Sequence, residues 1–171
     1  MRLGRNPARG AAELAYRRVV EQARRPEFFT LYGVPDTLDG RFELVCLHAF
    51  FYLHRLKGEP GAAAVGQHFF DAMCTDFDRS LRELGTGDLS VGKQVMRMAE
   101  GFYGRARAYE NALAEGGSAL DAALLRNLYG TAPANPAQLG RMTEYVRREV
   151  ARLAGEPAAT LASGAVRFAE P

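Results

Sequence analysis

The chain has 171 residues, 47% of them hydrophobic and 25% charged, which fits one globular domain and excludes a disordered polyampholyte. A net charge of +2 makes no case for nucleic acid from total charge, and DNA is not an expected partner. The longest apolar run, Leu44 to Leu53, is broken by His48 and is too short to span a bilayer.

Helix punctuation is legible from the first residues. Asn6-Pro7 is an N-cap followed by proline at the first helical position, where a missing N–H costs nothing. Ala12, Tyr16, Val19, Val20 and Ala23 then recur at helical spacing. A short helical turn is expected over Pro26–Tyr32, ending at Gly33 in a left-handed conformation. Val34-Pro35-Asp36-Thr37 delivers an N-cap to a helix from Leu38 to Lys57. Leu38, Phe42, Val45, Ala49, Leu53 and Leu56 form one stripe of it, while Leu44, Leu47 and Phe51 cover much of the other side. A helix apolar nearly all round is the central helix of the domain.

After Glu59-Pro60-Gly61, a long helix is expected from Ala62 to Leu84, with Val65, Phe69, Met73, Phe77, Leu81 and Leu84 facing inward. The loop Gly85–Ser90 leads to a helix over Val91–Ala114, with an inward series from Val91 through Phe102 and Tyr109 to Leu113. Gly101, Gly104, Ala108 and Ala112 lie beside that series. Glycine in a helix interior costs about 1 kcal/mol relative to alanine, so the row suggests close approach of a neighbouring backbone. Ser118 caps a shorter helix ending at Gly130, and Asn135-Pro136 opens a last helix that stops at Gly155-Glu156-Pro157. The expected fold class is all-α, an irregular bundle of six to seven helices over residues 1–157. Residues 158–171 form a tail without clear period, expected to be pinned by Val166 and Phe168 to the body or to a short extended segment.

Catalytic and metal patterns fail one by one. His48 and His54 are six residues apart and diverge around one helix, so they cannot share a ligand. Gly87-x4-Gly92-Lys93 approaches a phosphate loop, but Gln94 stands where magnesium needs a hydroxyl and Asp88 repels phosphate. Asp76-x-Asp78-x-Ser80 begins like a calcium loop and then lacks its glycine and its bidentate glutamate; an Asp78–Arg82 helical pair explains the charges. No nucleophile has a base beside it. The expectation is a binding protein, not an enzyme, without metal or cofactor. Cys46 and Cys74 read as small apolar residues in a reducing compartment, and the first residues lack the apolar core of a signal peptide. The expected location is the cytoplasm, with membrane contact only at a surface.

Two features point to a macromolecular surface. Residues 1–25 carry seven Arg (Arg2 to Arg25) against two Glu, so the rest of the chain is net negative. That segment either touches phosphate, on RNA or anionic lipid, or reflects a genome that writes Arg for Lys, since Lys57 and Lys93 are the only lysines. The aromatic pairs Phe50-Phe51, Phe69-Phe70 and Phe102-Tyr103 diverge by about 100° on a helix, so not all can enter one core. The excess lines either a second packing layer or an apolar groove for a partner.

From Tyr16 to Leu113 the sequence resembles the ubiquinol-cytochrome c chaperone family. The resemblance rests on linked motifs. Gln22-Ala23-Arg24-x-Pro26 with Phe28 and Phe29 comes first, then Gly33-Val34-Pro35-Asp36-Thr37-x-x-Gly40-Arg41-Phe42, Leu47-His48 and Arg55-Leu56. Asp76-x-Asp78-x-x-Leu81-Arg82-Glu83-x-Gly85-x-Gly87-Asp88-Leu89-x-Val91-Gly92-Lys93 follows, then Phe102-Tyr103-Gly104-Arg105 with Tyr109. Cys46 and Thr86 depart from the usual aliphatic residues. The resemblance implies an assembly chaperone for complex III that binds newly made cytochrome b. It also implies a small partner protein and, for the mitochondrial relatives, a place at the ribosomal exit. A bacterial version would meet its client at the cytoplasmic face of the inner membrane, with ribosome or anionic-lipid contact through Arg2–Arg25. No catalytic residue is carried over. Candidate apolar contacts are Phe50, Phe51, Phe69, Phe70 and Tyr103; candidate polar anchors are Asp36, Arg41, Arg82, Glu83, Asp88, Lys93 and Arg105. The alternative, drawn from the aromatics, is a helical domain that binds haem, quinone or lipid.

Overall fold

In the computed structural model, which describes residues 6–171, helix α1 (Pro7–Ala23) starts where the Asn6 side chain accepts the Ala8 N–H at 3.1 Å. A four-residue turn, α2 (Glu27–Thr30), follows, and Gly33 takes a φ of +69°. Helices α3 (Leu38–Leu56), α4 (Ala63–Glu83), α5 (Asp88–Glu115), α6 (Ala119–Asn127) and α7 (Pro136–Ala154) make the body, and a five-residue helix, α8 (Ala158–Ala162), follows. No strand occurs among the described residues. The all-helical single domain expected from periodicity is the observed one.

Helix α3 is central: α1, α4, α5, α7 and α8 all pack on it. Its entry is fixed locally, because Thr37 Oγ1 accepts the Gly40 N–H at 3.1 Å. Gly40 is required there, since a Cβ would sit 1.9 Å from the Pro35 carbonyl oxygen. The enclosed side of α3 is Leu44, Leu47, His48, Phe51 and Tyr52. The expected stripe is only partly covered: Leu38 is exposed and Phe42, Val45 and Leu53 are half-buried. The reason is that α4 and α5 cover the Leu38 end of that stripe incompletely and leave a cleft.

Three further expectations change. Helix α5 begins at Asp88, three residues early, because Gly87 is extended (φ −66°, ψ 150°) and serves as N-cap, and Asp88 suits the positive end of the helix. Ser118 stands at the N-cap of α6 but makes no side-chain cap hydrogen bond. At the two glycines of the small-residue row of α5, no neighbouring backbone approaches: a Cβ at Gly101 would meet only the Arg105 side chain, and one at Gly104 would meet nothing within 4 Å. By contrast, Asn135 and Gln138 form a reciprocal capping box at the start of α7.

The tail is more firmly held than two apolar pins imply. Gly164, at φ +85°, brings the backbone so close to α1 that a Cβ would lie 2.3 Å from the Ala11 carbonyl oxygen. Val166 is buried and the Phe168 ring meets the edge of His48 at 5.4 Å. Gln22 Nε2 donates to the Ala169 carbonyl at 2.8 Å, and the Ala169 N–H donates to buried Glu149 at 3.1 Å. Arg148 and Arg152 donate to the carbonyls of Glu170 and Arg167.

Candidate functional site

The first turns of α3, the last turns of α4, the middle of α5 and the end of α6 enclose an open cleft of about 650 Å3. Phe42, Val45, Phe77, Leu81 and Met98 line it, with Phe42 and Phe77 in ring contact at 5.3 Å. Leu38 and Leu84 stand on its rim, each more than half exposed.

One end of the cleft is polar. Glu43 is buried, and Arg105 Nε donates to its two carboxylate oxygens at 2.8 and 2.7 Å. Arg105 Nη1 donates to the Gly101 carbonyl at 3.0 Å, and the guanidinium lies 5.2 Å over the Phe42 ring. Burial pushes the Glu43 carboxyl pKa up while Arg105 pulls it down. The carboxylate in turn raises the pKa of Arg105. Tyr109, one helical turn beyond Arg105, keeps a fully buried hydroxyl without a hydrogen-bond partner. The Nδ2 of Asn127, on the cleft wall, is also buried and unpartnered. Burial holds the Tyr109 hydroxyl protonated, with the charge of Glu43 adding to the effect. Arg24, Arg41 and Arg126 complete the basic lining, and Arg24 and Arg126 form no ion pair among the described residues.

The predicted polar anchors divide by role. Arg41 and Arg105 line the cleft, and Asp36 accepts from Arg41 Nε at 2.7 Å at its rim, which holds the Asp36 carboxyl below its ordinary pKa. Arg82 pairs with Asp78 at 2.6 Å and also with Asp88, joining the end of α4 to the start of α5. These three residues secure the turn beside the cleft. Glu83 and Lys93 are exposed on the same hairpin and form no ion pair among the described residues.

The apolar candidates need correction. Phe50, Phe51 and Phe69 are enclosed, because α3 is packed on opposite sides and accommodates two adjacent rings. Phe50 meets Tyr109 at 5.5 Å, Phe51 meets His48 at 5.4 Å, and Phe69 lies between Tyr16 and Tyr52. Phe70 is half-buried against Tyr103, and Tyr103 is exposed beside a second groove, between α3, α4 and α5, whose mouth carries the Lys57–Glu110 pair at 2.6 Å. Sequence reasoning missed Leu38, Phe42, Phe77, Leu81, Leu84 and Met98 as a cleft. Their periodicity marked them as apolar but assigned them to the core.

Of the basic first segment, Arg2 and Arg5 lie outside the described residues. Arg9, Arg18 and Arg25 are taken up by Glu13, Glu21, and the pair Glu27 and Glu170, while Arg17 and Arg24 form no ion pair among the described residues. The histidines lie apart: His48 is enclosed, accepts from the Tyr145 hydroxyl at 2.9 Å and donates to the Leu44 carbonyl at 2.8 Å. His54 lies near Glu110 and His68 near Asp71. No described helix is long and apolar enough to cross a membrane.

The family model for ubiquinol-cytochrome c chaperones matches residues 30–168, most of the chain. The chain belongs to that family. Ubiquinol-cytochrome c chaperones are assembly factors of complex III, and the relatives carry names to that effect. The ubiquinol-cytochrome-c reductase complex assembly factor 1 of Xenopus laevis is 30% identical over 82% of this chain and 70% of its own length. The mouse protein of the same name is 29% identical, and the match spans 48% of its length. This chain therefore corresponds to about half of some of its curated relatives. The crystal structure of the Cbp3 homolog from Brucella abortus superposes with a TM-score of 0.85 at 37% identity, covering 96% of this chain and 91% of that one.

Proposed function

We propose that this ubiquinol-cytochrome c chaperone holds newly made cytochrome b during complex III assembly, seating an apolar client segment in the cleft between α3, α4, α5 and α6. The observation that carries the reading is an open apolar channel with Leu38 and Leu84 on its rim and a buried Glu43–Arg105 pair at its end. An unassembled membrane helix has apolar side chains and few partners, and such a channel covers them by the helix-in-groove mode. Its polar end offers donors to any carbonyl or hydroxyl the segment carries. The client is met at the cytoplasmic face of the inner membrane, with a small assembly partner alongside.

A double variant, Leu38→Ser with Leu84→Ser, tests it. Both side chains are exposed, so folding stability should stay within about 0.5 kcal/mol. Cytochrome b and assembled complex III should fall several-fold in cells at unchanged transcript levels. Wild-type levels of both would overturn the reading.

A second reading, a haem, quinone or lipid site, is favoured by the cleft volume and by the unpartnered Asn127 amide on its wall. Native mass spectrometry of the purified chain decides it: a retained small molecule lost in the same double variant supports this reading.

A further inference from the structure

We propose that the outward face of α5 docks an amphipathic helix of another protein, one whose apolar seam is flanked by acidic residues. Leu89, Met96 and Tyr103 are each more than half exposed and stand seven residues apart along this 28-residue helix. Seven-residue spacing drifts only about 20° per step around an α-helix, so the three side chains form one narrow seam. A second helix packs on such a seam by interdigitation.

The glycines beside the seam make an independent argument. Gly92 and Gly104 lie in the interior of α5, where glycine weakens a helix. A Cβ at either would meet no atom within 4 Å, so no contact within the chain requires glycine there. Small residues at these two places let an incoming helix approach the backbone closely.

Charge sets the chemistry of the partner. Lys93, Arg97 and Arg107 flank the seam against Glu100, and none of the four forms an ion pair among the described residues. A helix with acidic flanks complements them, as flanking charges do in paired helices. A second copy of α5 would instead bring the same cations together. A bilayer fits poorly too: an interfacial helix presents a broad apolar face, whereas this seam is one residue wide. Met98 and Arg105 project from the opposite side of α5 into the cleft, so client and partner helix can be held together.

The test uses the full chain and two synthetic three-heptad helices with the same leucine seam, one with glutamate and one with lysine at the flanking positions. The expected result in amide NMR titrations is that the glutamate peptide shifts Leu89, Lys93, Met96 and Tyr103 and the lysine peptide does not. Met96→Glu should weaken that binding at least about tenfold while leaving the circular dichroism spectrum intact. Lys93→Glu with Arg97→Glu should transfer the preference to the lysine peptide. No binding of either peptide, equal binding of both, or shifts confined to another face would overturn the proposal. So would vesicle binding (phosphatidylcholine with phosphatidylglycerol) or a dimer in sedimentation, if Met96→Glu abolished it.

Discussion

Around His48, where α1, α2, α3 and α7 meet the C-terminal segment, the rings of Phe28, Phe51 and Tyr145 are enclosed, Phe168 is half-buried over them, and the polar atoms are paired. Phe28, Phe51, Tyr145 and Phe168 surround the imidazole, and the Tyr145 hydroxyl links Gln22 to His48. At the α4–α5 hairpin the same chain leaves Leu84, Leu89 and Met96 exposed and strands the Tyr109 hydroxyl. Both regions are apolar in sequence. One consumes its apolar surface in its own core, and the other leaves it uncovered. An uncovered apolar face contributes nothing to folding and must be carried by a body that does.

The contrast is sharpest at Phe51. Phe51→Ala should lower stability by about 3–5 kcal/mol, measured by urea denaturation, through the cavity it leaves. An unchanged urea midpoint, together with loss of cytochrome b, would move Phe51 to the working face and break the comparison.

Next in size is a pH effect. Burial lowers the pKa of His48 from 6.5 to about 4. Between those values the unfolded chain binds the proton and the folded chain does not. The contribution of neutral His48 is thus complete above pH 6.5 and lost as pH falls toward 4, by about 3 kcal/mol. Glu43, raised by burial, acts with the opposite sign, so the informative quantity is the difference between wild type and His48→Gln across that range.

The smallest effect lies on the open side. Arg105→Ala leaves Glu43 buried without its partner and should cost about 2–3 kcal/mol, less than a fully buried pair because Arg105 is partly exposed. Stability should recover as pH is lowered and Glu43 protonates. A loss that stays constant with pH would mean that the packing of Arg105 on Phe42, not its charge, is what matters.

Local chemistry was the legible part of the sequence. Asn6-Pro7, Thr37 and Asn135-Pro136 open helices where expected because a cap is decided by a few adjacent residues. The stripes of α3 and α4 were also legible, but whether a stripe is covered depends on where other helices end. For that reason Leu38 and Leu84 read as core, and Phe50 and Phe51 as rivals for one face. Arg41 and Arg105 were picked out by the family motifs and line the cleft. Beyond the apolar Val166 and Phe168, the holding of residues 164–170 had no sequence signal, since side chains reaching backbone atoms leave no periodicity behind.

That last contact has a kinetic meaning. The Gln22–Ala169 hydrogen bond joins residues 147 positions apart, so it closes one of the longest loops in the chain. Such a closure gains its reward only once the intervening helices have assembled, which makes it a late step in folding. A contact that closes late is also expected to be the first to open. Amides of Ala165 to Ala169 should therefore exchange hydrogen ahead of those in α3, with the aromatic cluster around His48 exposed only in that transient state.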